Sequence, residues 1–117
     1  MLPRQYRLKK RTAFNATYKT GTSYHVGGVT LFCGKIKNEG DTKIGFVVSK
    51  KIHKRAVKRN RIKRLMRESV RLFIKNCAEK FDTKYMSLIF VASGKLLNKD
   101  YNYVSGCING LMEKIND

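Results

Sequence analysis

The sequence predicts an α+β fold in which helices cover a small sheet. Three observations carry this prediction. Period-two alternation of apolar residues runs through Val29, Leu31 and Cys33 and again through Ile44, Phe46 and Val48. Residues 86–92 (MSLIFVA) form a near-continuous apolar run of strand length. Two longer stretches, residues 57–81 and 100–115, change to the 3.6-residue period of amphipathic helices. A chain of 117 residues with 42% hydrophobic content, one proline and no low-complexity tract has room for one core, so residues 1–117 are expected to form a single domain.

The elements follow in order. Thr12 is a suitable N-cap for a short first helix, Phe14 and Tyr18 share one of its faces four residues apart, and Gly21 is a natural stop. The two alternating runs come next. With Asn38, Glu39, Gly40 and Asp41 as a turn between them, they are expected to pair as an antiparallel hairpin. In residues 57–81, Ile62, Leu65, Met66, Ser69, Phe73 and Cys77 gather on one side of a long helix. The run at 86–92, closed by Ser93 and Gly94, reads as a strand buried on both faces. Asp100 can cap a last helix in which Val104, Cys107, Ile108, Leu111, Met112 and Ile115 keep i, i+3, i+4, i+7 spacing. The predicted order is αββαβα, helices over a small sheet.

Charge narrows the function. The chain carries 26 Lys and Arg against 8 Asp and Glu, a net +18, which selects polyanionic partners. No apolar run approaches the roughly 20 residues of a membrane-spanning helix, and no apolar leader follows the basic N-terminus, so a cytoplasmic protein with no membrane partner is expected. Cys33, Cys77 and Cys107 match neither a disulfide framework nor a zinc pair and read as small core residues. His25 and His53 are the only histidines, and the eight acids form no pair at metal-binding or general acid/base spacing. Glycine-rich phosphate loops and nucleophile elbows are absent, so no catalytic residue and no metal ligand is assigned to this chain.

Residues 50–67 hold ten basic residues in eighteen, more than half of the net charge, with no acid before Glu68. At 100° per residue, Asn60, Arg64, Arg67 and Arg71 fall within about 60° of one another, opposite Ile62, Met66 and Phe73. Guanidiniums spaced in this way can track phosphates over about 10 Å of helix. A solvated charged face normally mixes signs through Glu–Lys pairs, and this one does not. Nucleic-acid binding follows. Phe14, Tyr18 and Phe32 are candidates for stacking on single-stranded bases, with core packing as the alternative role for all three.

The segment 44–68, IGFVVSKKIHKRAVKRNRIKRLMRE, resembles the signature of the protein subunit of bacterial ribonuclease P. Its centre is the RNR motif, here Arg59, Asn60 and Arg61, continued by Ile62, Lys63 and Arg64. The N-terminal RLKK, Phe14, Tyr18 and the apolar strand near position 90 are similar as well. The resemblance implies a fold like the second domain of ribosomal protein S5, with a left-handed strand–helix–strand connection. It also implies a protein cofactor of an endoribonuclease that removes the 5′ leader of precursor tRNA, with the catalytic centre and its Mg²⁺ in the RNA subunit. Arg59, Asn60, Arg61, Lys63, Arg64 and Arg67 are thereby expected to contact the catalytic RNA. Phe14, Tyr18 and Phe32, with Lys50 and Lys51 at the rim, are expected to form the leader-binding cleft. One protein per RNA is expected. Val29 stands where many members of that family carry an aromatic residue, and Ser93 and Gly94 where many carry basic ones. A ribosomal or architectural RNA-binding protein without a role in cleavage is the alternative. An autonomous metal nuclease would need carboxylates that the chain lacks.

Overall fold

The computed structural model describes residues 6–36, 42–49, 51, 54–76 and 85–116. The chain runs through α1 (Arg11–Lys19), β1 (Thr22–Val26), β2 (Val29–Cys33), β3 (Lys43–Val48), α2 (Ala56–Lys75), β4 (Ser87–Ala92), a 3₁₀ turn at Gly94–Leu96 and α3 (Tyr101–Asn116). The α+β class expected from the sequence is the class observed. Lys50, His53, Cys77, the turn at Asn38–Asp41 and the end of the predicted long helix lie outside the described residues.

The sheet order is β1-β2-β4-β3, and this corrects the expected hairpin between residues 29–33 and 44–48. Those strands do not pair, because β4 lies between them, antiparallel to β2 and parallel to β3. Leu88, Ile89, Phe90 and Ala92 are all buried, so helices cover both faces of this central strand. Across the pairings, Leu31 and Phe46 both face Phe90, and the Phe46 and Phe90 rings stack with centroids 5.7 Å apart. The hairpin partner of β2 is instead β1, a strand not expected from the sequence. Only Tyr24 and Val26 of its TSYHV are partly covered, so its apolar alternation is weak. Gly27 and Gly28 close this hairpin with φ of +57° and +102°, the two-residue turn whose twist matches the strands and which glycine adopts without strain.

The two faces of the sheet are covered differently. Val29, Leu31, Cys33, Ile44, Val48, Leu88 and Phe90 point into one core with Ile62, Met66 and Val70 of α2. From α3 come Val104, Cys107, Ile108, Leu111, Met112 and Ile115, every residue of the predicted stripe. Cys33 and Cys107 are buried in the core as small residues, as read from the sequence. Asp100 caps α3, its carboxylate accepting the Tyr103 N–H at 3.0 Å. No helix among the described residues is long and apolar enough to cross a membrane.

On the opposite face, α1 is pinned by hydroxyls. It begins at Arg11 with Lys10 in the N-cap position, so Thr12 lies inside the helix and is not its cap. Buried Thr17 donates to the Ala13 carbonyl at 2.8 Å and meets the Ser87 hydroxyl of β4 at 2.5 Å. The Thr20 hydroxyl reaches the Cys33 carbonyl of β2. Gly21, at φ +75°, ends the helix as expected.

Tyr85, just before β4, is buried, and its carbonyl accepts the Thr42 hydroxyl at 2.8 Å. Burial, reinforced by a side-chain hydrogen bond with Tyr24, pushes its phenol up to about 12. An unfolded tyrosine loses its proton near pH 10. The stability held by the neutral folded phenol is therefore complete below pH 10 and is lost as pH rises from 10 towards 12. Urea unfolding at pH 8, 10 and 11 should show the wild-type protein losing stability more steeply above pH 10 than Tyr85→Phe; parallel curves would contradict this assignment.

Candidate nucleic-acid interface

Helical geometry sends the three residues of the RNR run in three directions, since neighbours on an α-helix diverge by 100°. Asn60 points to solvent, as do Arg64 and Arg67 further along. Arg59 is half-buried, and its Nε is enclosed with no acceptor among the described residues. Arg61 turns towards α3, where its Nη2 donates to the Lys99 carbonyl at 3.0 Å. Lys63 is half-buried on the flank of the helix. Arg71, the last member of the row read from the sequence, is engaged elsewhere. Its Nε donates to both Glu68 carboxylate oxygens, at 3.1 and 3.2 Å, and its Nη2 also bonds that carboxylate. The guanidinium holds the Glu68 carboxyl below the usual carboxylate range. The exposed cationic row therefore runs from Asn60 to Arg67 and stops there.

A second surface lies on the face of the sheet that carries α1. Tyr18 and Phe32 come together edge to face, with centroids 5.0 Å apart and planes at 82°. Phe32 alternates with core residues Leu31 and Cys33, and so faces α1 and stays half-exposed. Phe14, one turn before Tyr18, lies over Gly45 of β3. A Cβ at Gly45 would stand 2.6 Å from the Phe14 ring, so only glycine allows this approach. Lys51 is exposed nearby in sequence, its N–H bonded to the Ser49 hydroxyl at 3.1 Å, while Lys50 lies outside the described residues.

A groove of about 370 Å³ joins the two surfaces. Phe14, Gly45 and Phe46 line it, and Arg7, Lys9 and Arg67 bring cationic side chains to it. The N-terminal segment is held there by a bridge between Arg7 and Ile44 and by the Leu8 N–H, which donates to the Ile44 carbonyl at 2.9 Å. Rings beside cations in an open groove suit nucleotides, with bases stacking and phosphates paired.

Several site residues became visible only in three dimensions. Arg7 and Lys9 belong to a basic N-terminal run evident in the sequence, but nothing in that run places it against β3. Gly45, between the apolar residues Ile44 and Phe46 of β3, is the seat of Phe14. Val29 is fully buried in the opposite core, so it takes no part in the cleft. Ser93 donates its N–H to the Gly28 carbonyl at 2.9 Å and accepts the Lys95 N–H at 3.3 Å, shaping the turn after β4. Among the described residues no group of three or more His, Cys, Asp or Glu side chains is placed to hold a metal ion.

Comparison with known proteins gives the relatives of the chain. The family model described as Ribonuclease P matches residues 2–116. A ribonuclease P protein component from Clostridium novyi is 37% identical over 109 residues, covering 92% of this chain and 91% of that protein. One from a Synechococcus species is 32% identical over 117 residues, covering 97% and 84%. In fold, the chain is similar to the RNase P protein of Staphylococcus aureus, with a TM-score of 0.77, 24% identity and coverage of 96% and 98%. It is similar also to that of Thermotoga maritima, with a TM-score of 0.75, 24% identity and coverage of 93% and 96%.

The Phe14–Gly45 contact is directly testable. Gly45→Ala should displace the Phe14 ring, shift its aromatic proton resonances and lower stability by about 1–3 kcal/mol, the usual range for overpacking. Unchanged ring resonances would show that α1 does not rest on β3 at this point.

Proposed function

Since the chain belongs to the ribonuclease P protein family, the protein subunits of an endoribonuclease that works with an RNA partner, we propose that it binds the catalytic RNA through α2 and the 5′ leader of precursor tRNA along the α1 face of the sheet. The observation that carries this reading is the junction of the two surfaces, where Arg67 of the cationic row and Phe14 of the aromatic face line one groove. A protein that only bound duplex phosphates would have no use for paired rings beside that row.

In this reading Asn60, Lys63, Arg64 and Arg67 contact the phosphates of the catalytic RNA, and Arg59 adds an enclosed N–H that has no acceptor among the described residues. Phe14, Tyr18 and Phe32 stack on unpaired leader bases, and Lys51 supplies charge at the rim together with Lys50. The protein's contribution is positional. Holding the leader extended beside the RNA raises the population of substrate in a cleavable geometry. Mg²⁺ held by the RNA subunit would supply the chemistry of phosphodiester hydrolysis. The stoichiometry is one protein per RNA, and the setting is the cytoplasm, where precursor tRNA is made.

Three measurements test the reading. Precursor tRNA with Mg²⁺ should be cleaved at the 5′ end only when protein and large RNA are combined at near-physiological salt; cleavage by protein alone would overturn it. Arg64→Ala should weaken binding to the large RNA and lower the log–log salt slope by roughly 0.7 to 0.9 for the lost phosphate contact, and an unaltered slope would remove Arg64 from the interface. Phe14→Ala should cost about 1 to 3 kcal/mol in binding precursor tRNA and little in binding mature tRNA, whereas equal losses would mean general damage to the fold.

A further inference from the structure

The first turn of α2 is the least supported part of the proposed RNA surface. Its N-cap, Arg55, makes no side-chain cap hydrogen bond, and no acidic residue occupies the first turn. Lys54, Arg55, Lys58, Arg59 and Arg61 instead gather at the end of the helix whose dipole is already positive, where cations are unfavourable. Packing there is sparse, with Arg59 alone half-buried among residues 56–60. Residues 56–60 include no buried side chain, Val57 is 77% exposed, and the first fully buried residue is Ile62. Yet this is the turn that would present Arg59 and Asn60 to RNA.

The hydrogen bond from Arg61 to the Lys99 carbonyl ties this end of the helix to the loop before α3. Its anchor is itself held. The Lys99 N–H donates to the Leu96 carbonyl at 3.2 Å, and the next residue, Asp100, caps α3. The Lys99 ammonium lies 4.8 Å from the centroid of the Tyr103 ring, and the Tyr103 hydroxyl donates to the Gly27 carbonyl at 2.8 Å in the β1–β2 turn. A continuous path of contacts thus runs from the RNR run through the start of α3 to the hairpin.

We propose that Arg61, although it belongs to the RNR run, is a positioning residue: its guanidinium holds the uncapped, like-charged start of α2 against the loop before α3, and so sets the direction in which Arg59, Asn60 and Arg64 meet the RNA. The proposal rests on the reading of α2 as the RNA-binding helix. It separates two kinds of arginine in one basic run. Arg64 acts by touching phosphate, and Arg61 acts by aiming its neighbours.

The salt dependence of binding distinguishes these roles, because a lost phosphate contact lowers the slope, whereas a helix correctly aimed for only a fraction of the time scales the affinity by that fraction at every salt concentration. The experiment measures affinity of the full-length protein for the large RNA from low to high salt, well below the melting temperature, for wild type, Arg61→Met and Arg64→Gln. Arg61→Met keeps the aliphatic stem and removes the donors and charge. It is expected to weaken binding about two- to tenfold, in keeping with one lost hydrogen bond, by the same factor at every salt concentration. Arg64→Gln should lower the slope. Arg61→Lys, which restores a charge able to donate to the same carbonyl, should recover part of the affinity. A slope lowered equally in Arg61→Met and Arg64→Gln would overturn the proposal by making Arg61 a phosphate contact. Unchanged affinity in Arg61→Met would overturn it by leaving Arg61 no role in binding. An unchanged slope in Arg64→Gln would instead count against α2 as the RNA surface.

Discussion

The architecture depends on burying β4 from both sides. Leu88 and Phe90 face the core built by α2 and α3, while Ile89 faces α1, and all three are excluded from solvent. In the interior both sides of its backbone also find hydrogen-bonding partners, in β2 and β3. Once it takes the interior, β2 and β3 are separated and each becomes its partner. Parallel pairing of β3 with β4 then requires a long crossover, and α2 supplies it. The helix that carries the basic run is thus also the connection that the central strand demands.

This constraint sorts the charge. The chain cannot bring cations into the shared core, so α2 buries Ile62, Met66, Ser69 and Val70 and turns its arginines outward and to the flanks. The same packing sets α1 on the far face. There Thr17 and Thr20 hold it by hydrogen bonds to β4 and β2, and Phe14 settles on Gly45. Two surfaces of different chemistry, one cationic and one aromatic, come to share a groove because β3 has α2 packed beside it and the N-terminal segment bridged to Ile44.

Much of this was legible from residue order. The stripe in α3 has strict helical spacing and packs as read, and Asp100 caps the helix as its position suggests. Phe32 lies opposite Leu31 and Cys33 in the pleat, and it does face away from the main core. Strand pairing was less legible. Alternation shows which residues share a face but not which strand lies alongside, and the Asn38–Asp41 segment looked like a hairpin turn while Gly27–Gly28 formed one. The weak apolar content of Thr22–Val26 concealed β1, because a half-exposed edge strand needs few apolar residues to hold it.

Sequence by itself determined the fold class, the core stripes of α2 and α3, the concentration of charge in residues 50–67 and the likeness to one family of RNA-associated proteins, because each depends on spacing or local density along the chain. Tertiary structure alone decided the strand order, the seat of Phe14 on Gly45, the capture of Arg71 by Glu68 and the turning of Arg61 to Lys99. These depend on distances between residues far apart in the chain or on the choice a side chain makes among neighbours. A run of basic residues looks uniform when read in order. Folding distinguishes its members, since each 100° step around the helix brings the next residue to a different part of the protein.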